Sequence, residues 1–142
     1  MKPLNRQLMS TEESTAQDSA FEVIGGEARV KALVERFYDL MDLEQGYTEL
    51  RAVHGSELRN AREKLFMFLC GWLGGPQHYT ERFGHPRLRA RHMPFVIGIR
   101  ERDQWLACMD QAMGETGVPE DLRAKLRESF FQTADWMRNT PG

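Results

Sequence analysis

A chain of 142 residues with a formal charge of −2 is one domain's length and can bury a core without disulfides or a structural metal. Its near balance of charge offers no bulk attraction to nucleic acid or anionic lipid, and no stretch approaches the ~20 apolar residues of a membrane span. The N-terminus has no apolar leader, and the two cysteines, Cys70 and Cys108, form neither a CxxC pair nor a zinc-finger spacing with histidine. The expectation is a cytoplasmic protein with reduced, buried thiols.

Residues 1–20 read as a flexible extension, because the first nineteen are polar and aperiodic; residues 21–142 read as the folded domain. Helical spacing begins after Gly25-Gly26, where Val30, Leu33, Val34, Phe37, Tyr38 and Met41 share one stripe. A mixed stretch containing Gly46, Leu50, Val53 and His54 follows. Leu58, Ala61, Leu65, Phe68, Leu69 and Trp72 then mark a second helix, stopped by Gly74-Gly75-Pro76. From 76 to 98 the chain is interrupted by Pro76, Gly84, Pro86, Pro94 and Gly98, so only short helical turns fit.

Helix returns near residue 100, with Trp105, Leu106, Met109, Ala112 and Met113 on one side, and ends near Gly114 or Gly117. The last helix starts at Pro119, whose missing N–H costs nothing in a first turn, with Glu120 and Asp121 suited to the dipole. Its stripe is Leu122, Leu126, Phe130, Thr133 and Met137. No strand alternation or repeat is visible. The class is all-α, four long helices around an irregular middle.

A helical bundle does not need so long an irregular connection. Tyr79, Phe83, Leu88, Met93, Phe95, Val96 and Ile97 make this one too apolar for a solvated linker, so it is expected to pack. It also holds three of the four histidines, His78, His85 and His92, spaced seven apart. On one continuous helix they would share a face and suit a metal, but Gly84 and Pro86 break that helix. His78 and His85 therefore read as surface or capping residues. Arg87, Arg89 and Arg91 alternate before His92. Nothing basic and aromatic recurs elsewhere as phosphate binding would want, whereas the carboxylates of a cofactor would suit them. Haem needs an apolar slot, one neutral imidazole and cations at the slot's edge. The segment can offer all three, although a structural histidine is the ordinary alternative.

The runs "GGEARVKALVERFYDLM", "FMFLCGWLGGPQHYTERFGHPRLRARHMPF" and "ERDQWLACMDQAM" resemble the group II truncated haemoglobins of bacteria and plants, over roughly residues 21 to 139. The resemblance implies a two-over-two helical sandwich around haem b. It makes His92, in "LRARHMPF", the proximal iron ligand. It puts Tyr38, ending "RFY", and Trp105, in "DQWLACM", on the distal side with His54, Ala61 and Leu65. It makes Arg89 or Arg91 the propionate partner, with Phe95, Phe68 and Tyr79 as further cofactor contacts. Two departures stand out: Gln45-Gly46-Tyr47 replaces a Leu-Pro pair, opening a different path to His54, and Cys70-Gly71 weakens the second helix.

A buried phenol and indole are donors that would stabilise the partial negative charge of bound O2. Tight binding and slow release are expected, suiting O2, NO or peroxide chemistry or sensing better than bulk transport. NO dioxygenase or peroxidase turnover would need an external reductase, since no GxGxxG is present. Strong peroxidases place an acid on the proximal imidazole, and no Asp or Glu neighbours His92 in sequence. A monomer or homodimer is expected, with diatomic ligands as partners and neither nucleic acid nor membrane. The competing reading is a haem-free helical interaction module whose arginine strip binds an acidic partner.

Overall fold

The structure, a computed structural model, describes residues 19–141; residues 1–18, where most of the expected extension falls, lie outside the described residues. Ser19 and Ala20, the last two of that extension, already belong to a helix start. The Ser19 hydroxyl accepts from the Glu22 N–H at 3.2 Å and opens α1, Ala20–Ile24, which Gly25 ends in the left-handed region at φ 116°. The sequence reading does not foresee α1, and five residues are too few to be helical alone. What holds α1 is remote. The Phe21 N–H donates to the Leu73 carbonyl at 2.9 Å, and the Phe21 ring sits where a Cβ on Gly75 would come within 2.5 Å.

α2, Glu27–Leu43, buries Val30, Leu33, Val34, Phe37, Tyr38, Leu40 and Met41, the stripe expected from the spacing. Gln45–Tyr47 form one 3-10 turn into α3, Thr48–Val53, a second short helix the spacing does not announce. The departure at Gln45-Gly46-Tyr47 is thus accommodated as a tight turn, anchored where the Tyr47 hydroxyl donates to Gln111 at 2.6 Å. α4 is Arg59–Trp72. Gly71 does not break it, and a Cβ there would meet the Gln77 amide at 2.8 Å. α5, His78–Phe83, and α6, Leu88–His92, are the short turns of the middle segment; α7, Ile99–Glu115, and α8, Glu120–Trp136, complete the chain.

Among the described residues, four long helices make two layers. α2 packs on α4 and on α7, and α7 packs on α8. Charged contacts pin these pairs. Arg62 of α4 reaches Glu35 and, at 2.9 Å, Asp39 on α2. Asp110 of α7 accepts from Arg123 at 2.9 and 3.1 Å and from Arg127 at 2.7 Å on α8. Among the described residues no helix is long and apolar enough to cross a membrane.

The middle segment packs less fully than expected. Tyr79 and Ile97 are buried, but Met93, Phe95 and Val96 are 55%, 45% and 69% exposed. The described residues leave these three side chains uncovered.

Candidate functional site

His92 is the last residue of α6, a helix with no buried residue whose N-cap, Arg87, sits at φ 47°, a region costly for a residue with a Cβ. The His92 Nδ1 lies 2.7 Å from the Leu88 carbonyl. A carbonyl only accepts, so Nδ1 carries the proton and Nε2 is the ring nitrogen left to face a metal. The exposed Met93, Phe95 and Val96 follow His92 closely in the chain.

Tyr38 and Trp105 come from different layers and meet around Phe37. The Phe37 ring centroid is 4.9 Å from that of Tyr38 and 5.3 Å from that of Trp105, both edge-on. The Tyr38 side chain is buried, its pKa pushed up by that burial, so the phenol keeps its proton. Neither its hydroxyl nor the indole N–H of the half-buried Trp105 has a hydrogen-bond partner among the described residues, although a donor as buried as the Tyr38 hydroxyl ordinarily finds one. His54, at the end of α3, places its ring 5.8 Å from the Tyr38 ring, and its Nδ1 is 3.1 Å from the Leu50 carbonyl. Burial lowers its pKa against the opposing Leu50 hydrogen bond, and the Arg51 charge lowers it further.

Gln104, the neighbour of Trp105, ties α3 in place. It accepts from the Leu50 N–H at 2.9 Å and donates to Glu49 at 2.7 Å. Ala61, Leu65, Phe68 and Trp72 form a half-buried stripe on α4 that packs against the core. Phe68 meets Tyr79 edge-on at 6.3 Å. The two arginines diverge. Arg89 donates to the Trp136 and Arg138 carbonyls and lies over the Trp136 ring, whereas Arg91 donates, among the described residues, only to the Pro86 carbonyl and lies over Tyr79. His78 pairs with Glu27 at 2.8 Å, and His85 accepts from the Arg87 N–H at 3.0 Å. No cluster of three His, Cys, Asp or Glu side chains able to hold a metal ion occurs among the described residues.

Sequence reasoning missed several members of this neighbourhood. Phe130 stacks on Trp72 at 4.7 Å and meets Trp105 at 5.4 Å; its helical spacing marks it only as core. The Leu88 carbonyl is a backbone group and leaves no residue-type signal, and Asn139 touches the His92 carbonyl at 3.2 Å from the far end of the chain. The cysteines stay apart from this chemistry. The Cys108 thiol donates to the Phe37 carbonyl at 3.2 Å, and burial pushes Cys70 to about 11 and Cys108 to about 12.

The family described as bacterial-like globin matches residues 19–139. The group 2 truncated hemoglobin YjbI of Bacillus subtilis is 38% identical over 122 residues, 86% of this chain and 89% of that protein. The chain belongs to the group II truncated haemoglobins. Among solved structures, the group II 2-on-2 hemoglobin of Agrobacterium tumefaciens is 41% identical with a TM-score of 0.84, covering 92% of this chain and 98% of that one. The truncated oxygen-avid haemoglobin of Bacillus subtilis is 38% identical with a TM-score of 0.79, covering 85% and 99%.

Membership in this two-over-two globin family carries haem as the cofactor and O2 and other diatomic molecules as ligands, and does not support a haem-free interaction module. The residues fit that group. His92 has its Nε2 free of any protein partner among the described residues, and three nearby large apolar side chains are left uncovered by those residues, the kind of surface a flat apolar ligand would cover.

Proposed function

We propose that His92 ligates the iron of haem b and that Tyr38 and Trp105 donate hydrogen bonds to the bound ligand, so that O2 is held tightly and released slowly. The observation that carries this reading is the pair of donors around Phe37 with no protein acceptor among the described residues. Haem supplies a ferrous iron that takes diatomic ligands reversibly.

The residues do the rest. Tyr38 remains a protonated donor because its burial disfavours the phenolate. His54 stays neutral at pH 7 and lines the same pocket, while Ala61 and Leu65 keep the α4 face low and apolar. Arg91 is the propionate partner, since Arg89 is engaged by two carbonyls at and just past the end of α8. Phe68, Tyr79 and Phe95 supply apolar contacts to the macrocycle.

The partner of the His92 ring argues against strong peroxidase activity. Its Nδ1 donates to a backbone carbonyl, which makes the imidazole less electron-rich than a carboxylate partner would. Ligand binding for O2 or NO chemistry or for sensing, with electrons from a separate reductase, is the role this arrangement favours. The oxygen-avid relative accords with it.

The test is optical. Haemin added to the purified protein should give a Soret band saturating at one haem per chain. His92→Gly should lose the axial ligand, and added imidazole should restore it. A wild type that stays colourless, or a His92→Gly spectrum identical to wild type, overturns the assignment.

A further inference from the structure

We infer that Asn139 is the positioning residue for His92, seating the proximal imidazole from the opposite end of the chain. This rests on the reading that His92 ligates the iron.

α6 cannot seat its own histidine. Five residues form no stable helix alone, none of them is buried, and the helix starts from the strained Arg87. No other helix packs broadly on it among the described residues. The Leu88–His92 contact orients the ring relative to α6 but does not fix α6 to the rest of the fold.

The tail after α8 supplies that reference. The Asn139 amide nitrogen donates to the His92 carbonyl at 3.2 Å and to the Phe95 carbonyl at 2.7 Å. Its amide oxygen accepts from the Ile97 N–H at 2.9 Å, and its backbone N–H donates back to the Ile97 carbonyl at 2.9 Å. Arg89 grips the same tail through the Trp136 and Arg138 carbonyls. The His92 carbonyl also accepts from the Phe95 N–H at 3.0 Å, so both its lone pairs are used and the peptide plane after His92 is fixed. With the helical backbone of His92 joined to that fixed plane, the direction of its Cα–Cβ bond is set, and the Leu88 contact then sets the ring.

The tail is itself tied to the helix that bears Trp105. Asp135 accepts from Arg102 of α7 at 2.7 Å and from Arg138 at 2.8 Å. Hydrogen bonds from α7 to Asp135 and on to Arg138, the peptide bond from Arg138 to Asn139, and the bonds of Asn139 itself therefore link α7 to His92. The chemistry requires an amide at 139. Two carbonyl oxygens face its nitrogen, and an isosteric carboxylate would meet both with no proton to donate.

The experiment uses haem-loaded Asn139→Asp and Asn139→Ala, with the iron–histidine stretching band of the ferrous deoxy form read by resonance Raman and the Ile97 N–H read by hydrogen exchange. Both variants should shift or broaden the band, Asn139→Asp more than Asn139→Ala despite its matched shape. Ile97 exchange should rise about 5- to 10-fold in Asn139→Ala, the loss of one ordinary hydrogen bond, and stay near wild type in Asn139→Asp, which keeps the acceptor. Gln132→Ala, on the surface of α8, should leave the band unmoved. A merely structural Asn139 would lower the melting temperature and leave the band in place.

Folded variants that load haem and keep the wild-type band overturn the proposal; folded variants that lose haem affinity support it. Should Asn139→Asp unfold, the band of Asn139→Ala decides. If His92→Gly keeps the wild-type band, the ligand assignment itself has failed. If His92→Gly loses it while the Asn139 variants do not, only the positioning role has.

Discussion

Replacing Tyr38 by Phe removes one oxygen from the core and little else. The ring remains packed edge-on to Phe37 and beside His54, and the side chain is only 5% exposed. A hydrogen bond to a ligand carrying partial negative charge contributes about 1.5–3 kcal/mol, and each ~1.4 kcal/mol is a factor of ten. O2 dissociation should therefore accelerate about 10- to 100-fold in Tyr38→Phe. Trp105→Phe should accelerate it similarly, and the double variant by about 10²- to 10⁴-fold if the two donors act independently. Because the hydroxyl has no protein partner among the described residues, its removal leaves no acceptor stranded. The apo-protein should then be as stable as wild type, or more stable by up to about 1 kcal/mol. Stopped-flow displacement of O2 by CO, paired with thermal unfolding, checks both halves. Dissociation within about twofold of wild type in both single variants would remove these side chains from ligand control. A clear drop in apo-protein melting temperature for Tyr38→Phe would mean that the hydroxyl serves the core instead.

Gly75→Ala should cost about 1–3 kcal/mol by overpacking, since its Cβ would lie 2.5 Å from the Phe21 ring. Gly55→Ala, with open space around it, should change stability by less than about 0.5 kcal/mol, and equal melting temperatures would refute the close approach of α1. Cys70 and Cys108, buried with raised pKa values of about 11 and 12, should react with a thiol reagent at mildly alkaline pH only as fast as the protein unfolds. Rapid labelling of the native protein would contradict their burial. His54 has a folded-state pKa lowered from 6.5, so above that pH both states are neutral and it contributes nothing. Below it the unfolded chain takes the proton first and stability falls as the pH drops. His54→Phe should flatten that acid limb in denaturant titrations, and an unchanged limb would refute the assignment.

The four long helices are legible in the chain because helix period and end signals are local. Val30 through Met41 repeat on one face, Gly74-Gly75-Pro76 stops α4, and Pro119 starts α8. The family motifs likewise mark His92, Tyr38 and Trp105 as candidates without coordinates. What surrounds these residues is not written locally. α1 exists because Phe21 finds Leu73, α3 is held because Leu50 finds Gln104, and the His92 segment is seated because Asn139 returns to it. Each of these contacts joins a short segment, with too little helix of its own to be stable, to a partner far along the chain. Such pairings exist only after the two layers close, so burial and hydrogen bonding across the fold, rather than periodicity, decide them. The same closure left Tyr38 and Trp105 together around Phe37 with their donors unspent, and turned Arg89 toward the tail but not Arg91.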